Sequence, residues 1–223
     1  MIRAFGRLVR RVVLIAVAVF AVLIALYRFV DPPVTPLMLI RLVQGDGMQR
    51  TTRPIAAIDP DLARAVLAAE DNRFCRHAGV DWSAVGEALE DFDDRGRLRG
   101  ASTITMQVAR NLFLWPGGGF FRKAIELPLA YAIDLAWPKQ RVIEVYLNIA
   151  EWGRGIFGAE AAARHHFGKS AAQLTRREAT LLAAILPAPR QRSAGRPTAY
   201  IERRAGVIAG RIDRLNGWLD CLG

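Results

Sequence analysis

Cysteine and histidine are scarce. The chain has 223 residues but only Cys75, Cys221 and three histidines. Two thiols allow at most one intrachain disulfide, and they lack the spacing of a metal site. A chain this long can build its core without a staple, so both cysteines read as plain small residues. His165 and His166 are adjacent and point different ways on a helix, so no zinc site is expected there. Residues 1–30 contain no acid and five arginines, Arg3, Arg7, Arg10, Arg11 and Arg28. Removing those five from the net charge of +10 leaves +5, so half of the basicity belongs to the N-terminus. That weakens a nucleic-acid reading. Also missing are the phosphate-binding G-x-x-x-x-G-K-[ST], the G-x-S-x-G elbow and the H-E-x-x-H zinc helix. There is no internal repeat, no low-complexity tract and no alternating strand pattern of any length.

What is present begins with an apolar run. Residues 12–27, VVLIAVAVFAVLIALY, carry no charge and no glycine. With residues 28–30 the run reaches the roughly 20 residues that cross a bilayer. Four arginines precede it, which favours a cytoplasmic N-terminus. YRFVDPP follows where a cleaved signal would show a small-x-small site, so the run reads as an uncleaved anchor. The organisation expected is a basic tail (1–11), an anchor (12–30), a linker (31–47) and one domain (48–223). DPPVTP, residues 31–36, is a stiff break, and residues 37–58 read as connector.

Beyond residue 58 helical signals dominate, and the class is mainly α. Asp59 caps a segment opening on Pro60 and Asp61. Further helices are expected from Asp81, from Ser102 or Thr103, and over 121–136 with an interruption at Pro128. Others are expected from Pro138, from a Thr175/Glu178 capping box, and over 198–216.

Four stretches carry possible chemistry. EDNRFCRHAG, residues 70–79, ends an apolar stripe of Leu62, Ala65, Val66 and Ala69. Glu70 at its rim would be partly desolvated, which raises a carboxylate's pKa and suits it to proton transfer. The plain alternative is a solvated helix end. GASTITMQVARN, residues 100–111, places Thr103, Gln107 and Arg110 on one face, near a helix N-terminus fit for a phosphate or sugar. An ordinary capped surface helix fits equally. RKAIE, residues 122–126, sets two cations before an acid, the weaker helical order for an ion pair. A surface salt bridge is its bland reading, and alanine at both cations is expected to leave the fold intact. Finally Tyr146 and Asn148 precede Gly153, Gly155 and Gly158, which suggest a tightly packed turn.

Taken in order, these stretches resemble the peptidoglycan glycosyltransferases (glycosyltransferase family 51), above all the monofunctional biosynthetic transglycosylases. The first family motif falls on Glu70, Asp71, Phe74, His77 and Gly79. The second falls on Gly100, Ser102, Thr103, Ile104, Thr105, Gln107, Arg110 and Asn111. The third is Arg122, Lys123 and Glu126. The fourth includes Lys139, Glu144, Tyr146, Leu147, Asn148 and Gly153. The fifth is Glu178, Ala179, Leu181, Ala183 and Pro187. Five ordered motifs over roughly residues 48–195 are specific where one would be weak.

The resemblance implies a lysozyme-like helical domain that polymerises lipid II into β-1,4 glycan strands outside the cytoplasmic membrane. It implies Glu70 as general base and Glu126 as a second catalytic carboxylate. It implies Asp71, His77, Ser102, Thr103, Gln107, Arg110, Asn111, Arg122, Lys123 and Tyr146 as substrate-binding residues. Its partners would be lipid II, the growing strand and the membrane, with other cell-wall synthesis or division proteins left open and no nucleic acid. No cofactor is required, although magnesium or manganese could assist at the pyrophosphate. Two other classes stay in view, a glycan-cleaving enzyme and a silent membrane scaffold. Departures from the pattern are Met106 in place of a glutamine and Gly118 in place of an arginine. Arginine restored at Gly118 is expected to leave activity equal or higher.

Overall fold

The apolar N-terminal run folds as one helix, α1, over Ile2–Tyr27. The computed structural model describes residues 2–95, 102–215 and 220–222. Within α1, Phe5–Tyr27 is long and apolar enough to cross a membrane, its most apolar 18 residues having a mean hydropathy of 2.6. The helix also takes in most of the basic tail and stops before residues 28–30. Its C-terminal end is docked. Phe20 meets Phe113 edge-on at 5.5 Å and Tyr27 stacks on the same ring. Trp137 Nε1 donates to Ile24 O at 2.7 Å. Arg141 donates to the carbonyls of Tyr27 and Val30 and pairs with Asp31 at 2.8 Å.

The segment expected as a linker is built into the domain. Thr35 caps a helix α2 over Pro36–Val43, whose Met38 is fully buried. Arg50 holds the preceding turn through the carbonyls of Pro32 and Pro33 at 2.6 and 2.8 Å. Proline at the first helical position and an apolar face account for α2.

The remaining helices are α3 (Pro60–Glu70), α4 (Trp82–Arg95), α5 (Ile104–Phe113), α6 (Gly119–Ala136) and α7 (Lys139–Ile149), followed by α8 (Ala159–Phe167), α9 (Arg176–Ile185) and α10 (Ala199–Arg214). Asp59, Thr103, Thr175 and Thr198 cap α3, α5, α9 and α10. α6 continues through Pro128 rather than breaking there. The proline is exposed, so its ring costs the helix one hydrogen bond without disturbing the core. α3, α9 and α10 pack as one block, and α5, α6 and α7 as another. The apolar faces of α3, α5, α7 and α9 form one continuous core.

A small sheet accompanies them, which the sequence does not announce. β1 (Gln49–Arg50), β2 (Glu151–Gly153) and β3 (Ile156–Phe157) lie in the order β1–β3–β2, with β1 parallel and β2 antiparallel to β3. Strands of two or three residues are too short to alternate. Gly153, Gly155 and Gly158 have the G-x-G-x-x-G spacing of a dinucleotide-binding turn. They serve instead in this hairpin and its exit, and a Cβ on Gly155 would strike the Asp46 carbonyl. Beside the sheet, Glu160 is fully buried. It accepts from Ala171 N at 2.9 Å, Ser170 Oγ at 3.0 Å and Arg164 Nε at 2.8 Å.

The cysteines form a disulfide. Cys75 and Cys221 lie 146 residues apart in sequence with Cα atoms 5.6 Å apart, which corrects their reading as plain small residues. The bond fastens the turn at Phe74–Arg76 to the one at Asp220–Leu222.

Candidate active site

Glu70 is the last residue of α3, where the block of α3, α9 and α10 meets the block of α5, α6 and α7. Its side chain is 19% exposed. Burial raises its pKa above the usual carboxylate value, against the pull of Gln107, Arg204 and Arg110, and Asp71 adds to the rise. Gln107 Nε2 donates to Glu70 Oε2 at 3.2 Å, and Tyr146 Oη donates to Gln107 Oε1 at 3.2 Å. The buried Tyr146 keeps its proton, because burial first and the Glu70 charge second push its pKa up. The glutamine is thus held by both ends, with its donor facing the carboxylate.

Beside Glu70 the cations gather. Arg110, from the last turn of α5, lies within electrostatic reach of Glu70 and Tyr146, and burial lowers its pKa. Burial and then Arg110 lower that of Arg122. Lys123 is lowered to about 8, by burial first and then by Arg110 and Arg122. Lys123 Nζ donates to Ser102 Oγ at 2.9 Å and lies 3.6 Å from Glu126 Oε2. Arg122 ion-pairs with the other carboxylate oxygen, one helical turn away. Burial and mutual repulsion disfavour the charged form of these groups, so an incoming anion would relieve them. Two openings flank the group. One of about 230 Å³ is lined by Arg110, Asn111, Arg122, Trp115 and the α2 residues Leu37 and Arg41. The other, about 660 Å³, is lined by Glu70, Ser102, Pro187 and residues of the C-terminal part of the chain.

A carboxylate of raised pKa beside three cations, two of which share the buried Glu126, is the equipment for acid–base chemistry on a substrate with an anionic leaving group. A family model described as transglycosylase matches residues 38–213. The chain belongs to the transglycosylase family. It is 53% identical over 222 residues to a biosynthetic peptidoglycan transglycosylase of Rhodospirillum centenum, covering 97% of this chain and 96% of that one. Proteins of the same name from Rhizobium meliloti and Caulobacter vibrioides are 50% and 44% identical. They cover 96% and 97% of this chain, and 92% and 99% of their own lengths. The lysozyme-like helical class expected from the motifs comes with this family.

Not every motif residue of this transglycosylase reaches the cleft. Asp71 turns inward at the end of α3, where Oδ2 accepts from Ile104 N at 2.8 Å and Oδ1 lies 3.0 Å from His77 Nε2. Thr103 is buried, accepts from Met106 N and donates to Gly79 O at 2.6 Å. Asp71 and Thr103 are therefore engaged in joining the end of α3 and the turn after it to α5, with His77 Nε2 held on Asp71, and none of the three lines either opening. Glu70, Ser102, Gln107, Arg110, Asn111, Arg122, Lys123, Glu126 and Tyr146 are brought together. Gly100 lies outside the described residues.

Two expectations change. Glu126 is 1% exposed, so the Arg122–Lys123–Glu126 group is no surface bridge. Replacing both cations by alanine would strand a buried carboxylate, at a cost of about 3–5 kcal/mol. Gly118 caps α6 at φ +80°, and a Cβ there would press on Arg122 Cβ at 3.0 Å and Trp115 Nε1 at 3.1 Å. Arginine at 118 is therefore strained rather than harmless. Arg192, Tyr200, Arg204 and Arg211 line the larger opening and belong to none of the five motifs. The seven-residue spacing of Arg204 and Arg211 on one helix was the available signal.

Proposed function

We propose that this transglycosylase polymerises lipid II into β-1,4-linked peptidoglycan strands for the cell wall. It would work on the periplasmic side of the bacterial cytoplasmic membrane, with α1 as its single-pass anchor and the N-terminus cytoplasmic. The names of its relatives support peptidoglycan as the polymer. The observation that carries the chemistry is Glu70, of raised pKa, held by Gln107 on the wall of the larger opening and beside Arg110. Glu70 takes the proton from the acceptor's sugar hydroxyl as that oxygen attacks the donor's anomeric carbon. The bond to undecaprenyl pyrophosphate breaks on the opposite face, so one displacement inverts the centre. Arg110, Arg122 and Lys123 receive the charge that develops on the leaving group. Glu126 holds Arg122 and Lys123 in place. No step needs a divalent ion, and dependence on magnesium or manganese is read from activity with and without chelator.

The test is full-length protein with labelled lipid II and a gel of the products. The wild type is expected to yield a ladder of strands. Glu70→Gln is expected to lose activity by about 10²–10⁴-fold or more while still binding lipid II. Strands made by Glu70→Gln at near the wild-type rate would refute the assignment. Cleavage of finished glycan by the wild type would point to a lytic enzyme instead.

A further inference from the structure

The larger opening is built around three guanidinium groups that the steps above do not use. Arg204 comes from the middle of α10, Arg211 from its last turn, and Arg192 from the segment before it. Arg204 lies 3.9 Å from Glu70, and Arg211 donates to the carbonyl of Ala68 at 3.4 Å. Arg192 is stacked on the Tyr200 ring, 5.3 Å from its centroid. Glu70 is the one carboxylate among the residues lining this opening. Nη1 of Arg192 and Nε of Arg204 are buried without a hydrogen-bond partner among the described residues. Guanidinium donors withdrawn from water and left unpaired are costly in a protein whose ligand is absent. An anion with several oxygens would satisfy them.

The position in the fold narrows which anion. α1 packs against α6, and α2, which follows it, lines the smaller opening beside Arg110 and Arg122. The lipid-linked pyrophosphates belong at that end, near the membrane. α10 packs on α3 and α9 instead. A sugar chain passing Glu70 towards α10 leaves its lipid behind and carries only its peptide substituents. Those peptides bear carboxylates, which arginine recognises by paired hydrogen bonds.

The geometry points to a second anion subsite, in which Arg192, Arg204 and Arg211 hold the carboxylates of the glycan's peptide substituents beside Glu70. This rests on the polymerase reading above. It adds that the enzyme recognises the peptide as well as sugar and pyrophosphate.

The experiment uses the soluble disaccharide–peptide, without lipid or phosphate, and the same molecule with its carboxylates converted to amides. Binding to full-length protein is measured by calorimetry. Amidation is expected to weaken binding to the wild type by about tenfold, the size of one charge-assisted contact. Arg192→Gln with Arg211→Gln is expected to weaken the native fragment equally and to leave the amidated one nearly unchanged. Arg→Lys at both positions should restore part of the loss. The native fragment failing to bind the wild type, or binding no better than its amide, overturns the subsite. So does a variant that weakens both fragments alike, since the arginines then act on the fold or on a group other than the carboxylates. The amidated fragment tests the idea on unaltered protein, so a poorly folded variant cannot decide it. The polymerase reading fails separately, if the wild type makes no strands from lipid II.

Discussion

Reducing the Cys75–Cys221 bond should cost a large part of the domain's stability. The bond closes a loop across a separation of 146 residues. Chain-entropy reasoning gives about 5 kcal/mol for a loop of that size, and removal of native disulfides typically costs 2–5 kcal/mol. A domain with a total stability of about 5–15 kcal/mol would feel this strongly. Urea unfolding followed by tryptophan fluorescence suits the measurement. All five tryptophans lie outside α1, so a detergent-held anchor stays silent. With a urea slope of about 1–3 kcal/mol per molar, the midpoint should fall by roughly 1–3 M on reduction or in Cys75→Ser. Two alkylatable thiols in the native, unreduced protein would refute the bond. An unchanged midpoint would refute the energetic reasoning.

Three further outcomes follow from the site and core. Lys123, lowered to about 8, holds its proton below that pH and loses it above. kcat/KM should therefore fall as pH rises through about 8, and Lys123→Arg should carry that limb to higher pH. If the limb stays in Lys123→Arg, another group titrates there. Gln107→Leu removes a donor that favours the ionised Glu70. The acidic limb of the rate profile should move to higher pH, and a fixed or lowered limb would show that the hydrogen bond does not tune the base. Glu160→Ala leaves Ala171 N buried without its acceptor and should cost about 3 kcal/mol in thermal or urea unfolding. Burial alone would raise the Glu160 pKa, but the donors at Ala171, Ser170, Arg164 and Arg53 hold it below the usual value. Its stabilisation is thus present above the ordinary carboxylate pKa and lost as pH falls through the folded value. A wild-type–like acid transition in the variant would contradict this.

What was legible in the sequence was local. The caps at Asp59 and Thr175 were readable because a cap and its target lie within three residues of each other. Glu70 and the cations of α5 and α6 were readable through motif order. The inward turn of Asp71 was not, because its partner Ile104 is 33 residues away and nothing local says that α3 ends at Glu70. The burial of Glu126 was hidden for the same reason, since a helical salt-bridge spacing is identical on a wet or a dry face. The disulfide and the arginines of the larger opening depend on where the C-terminal segment returns. No periodicity encodes that return. α2 was missed because eight residues between prolines and glycines read more easily as a connector.

The docking of α1 onto the catalytic body fixes how the enzyme stands. The anchor does not end in a tether: Ile24, Tyr27 and Val30 are grasped by Trp137 and Arg141. If α1 spans the bilayer as proposed, the cleft works at one height and one tilt above it, and cannot lean outward to find material. Under the proposed function, a lipid-linked donor would then arrive by drifting sideways within the lipid sheet, a search in two dimensions. On the same reading, its product would leave along the surface rather than through the anchor's own side. Cutting the chain at residue 30 would accordingly do more than release the body from its membrane. It would lay bare Phe113 and Trp137, and with them the stance that sets the working distance.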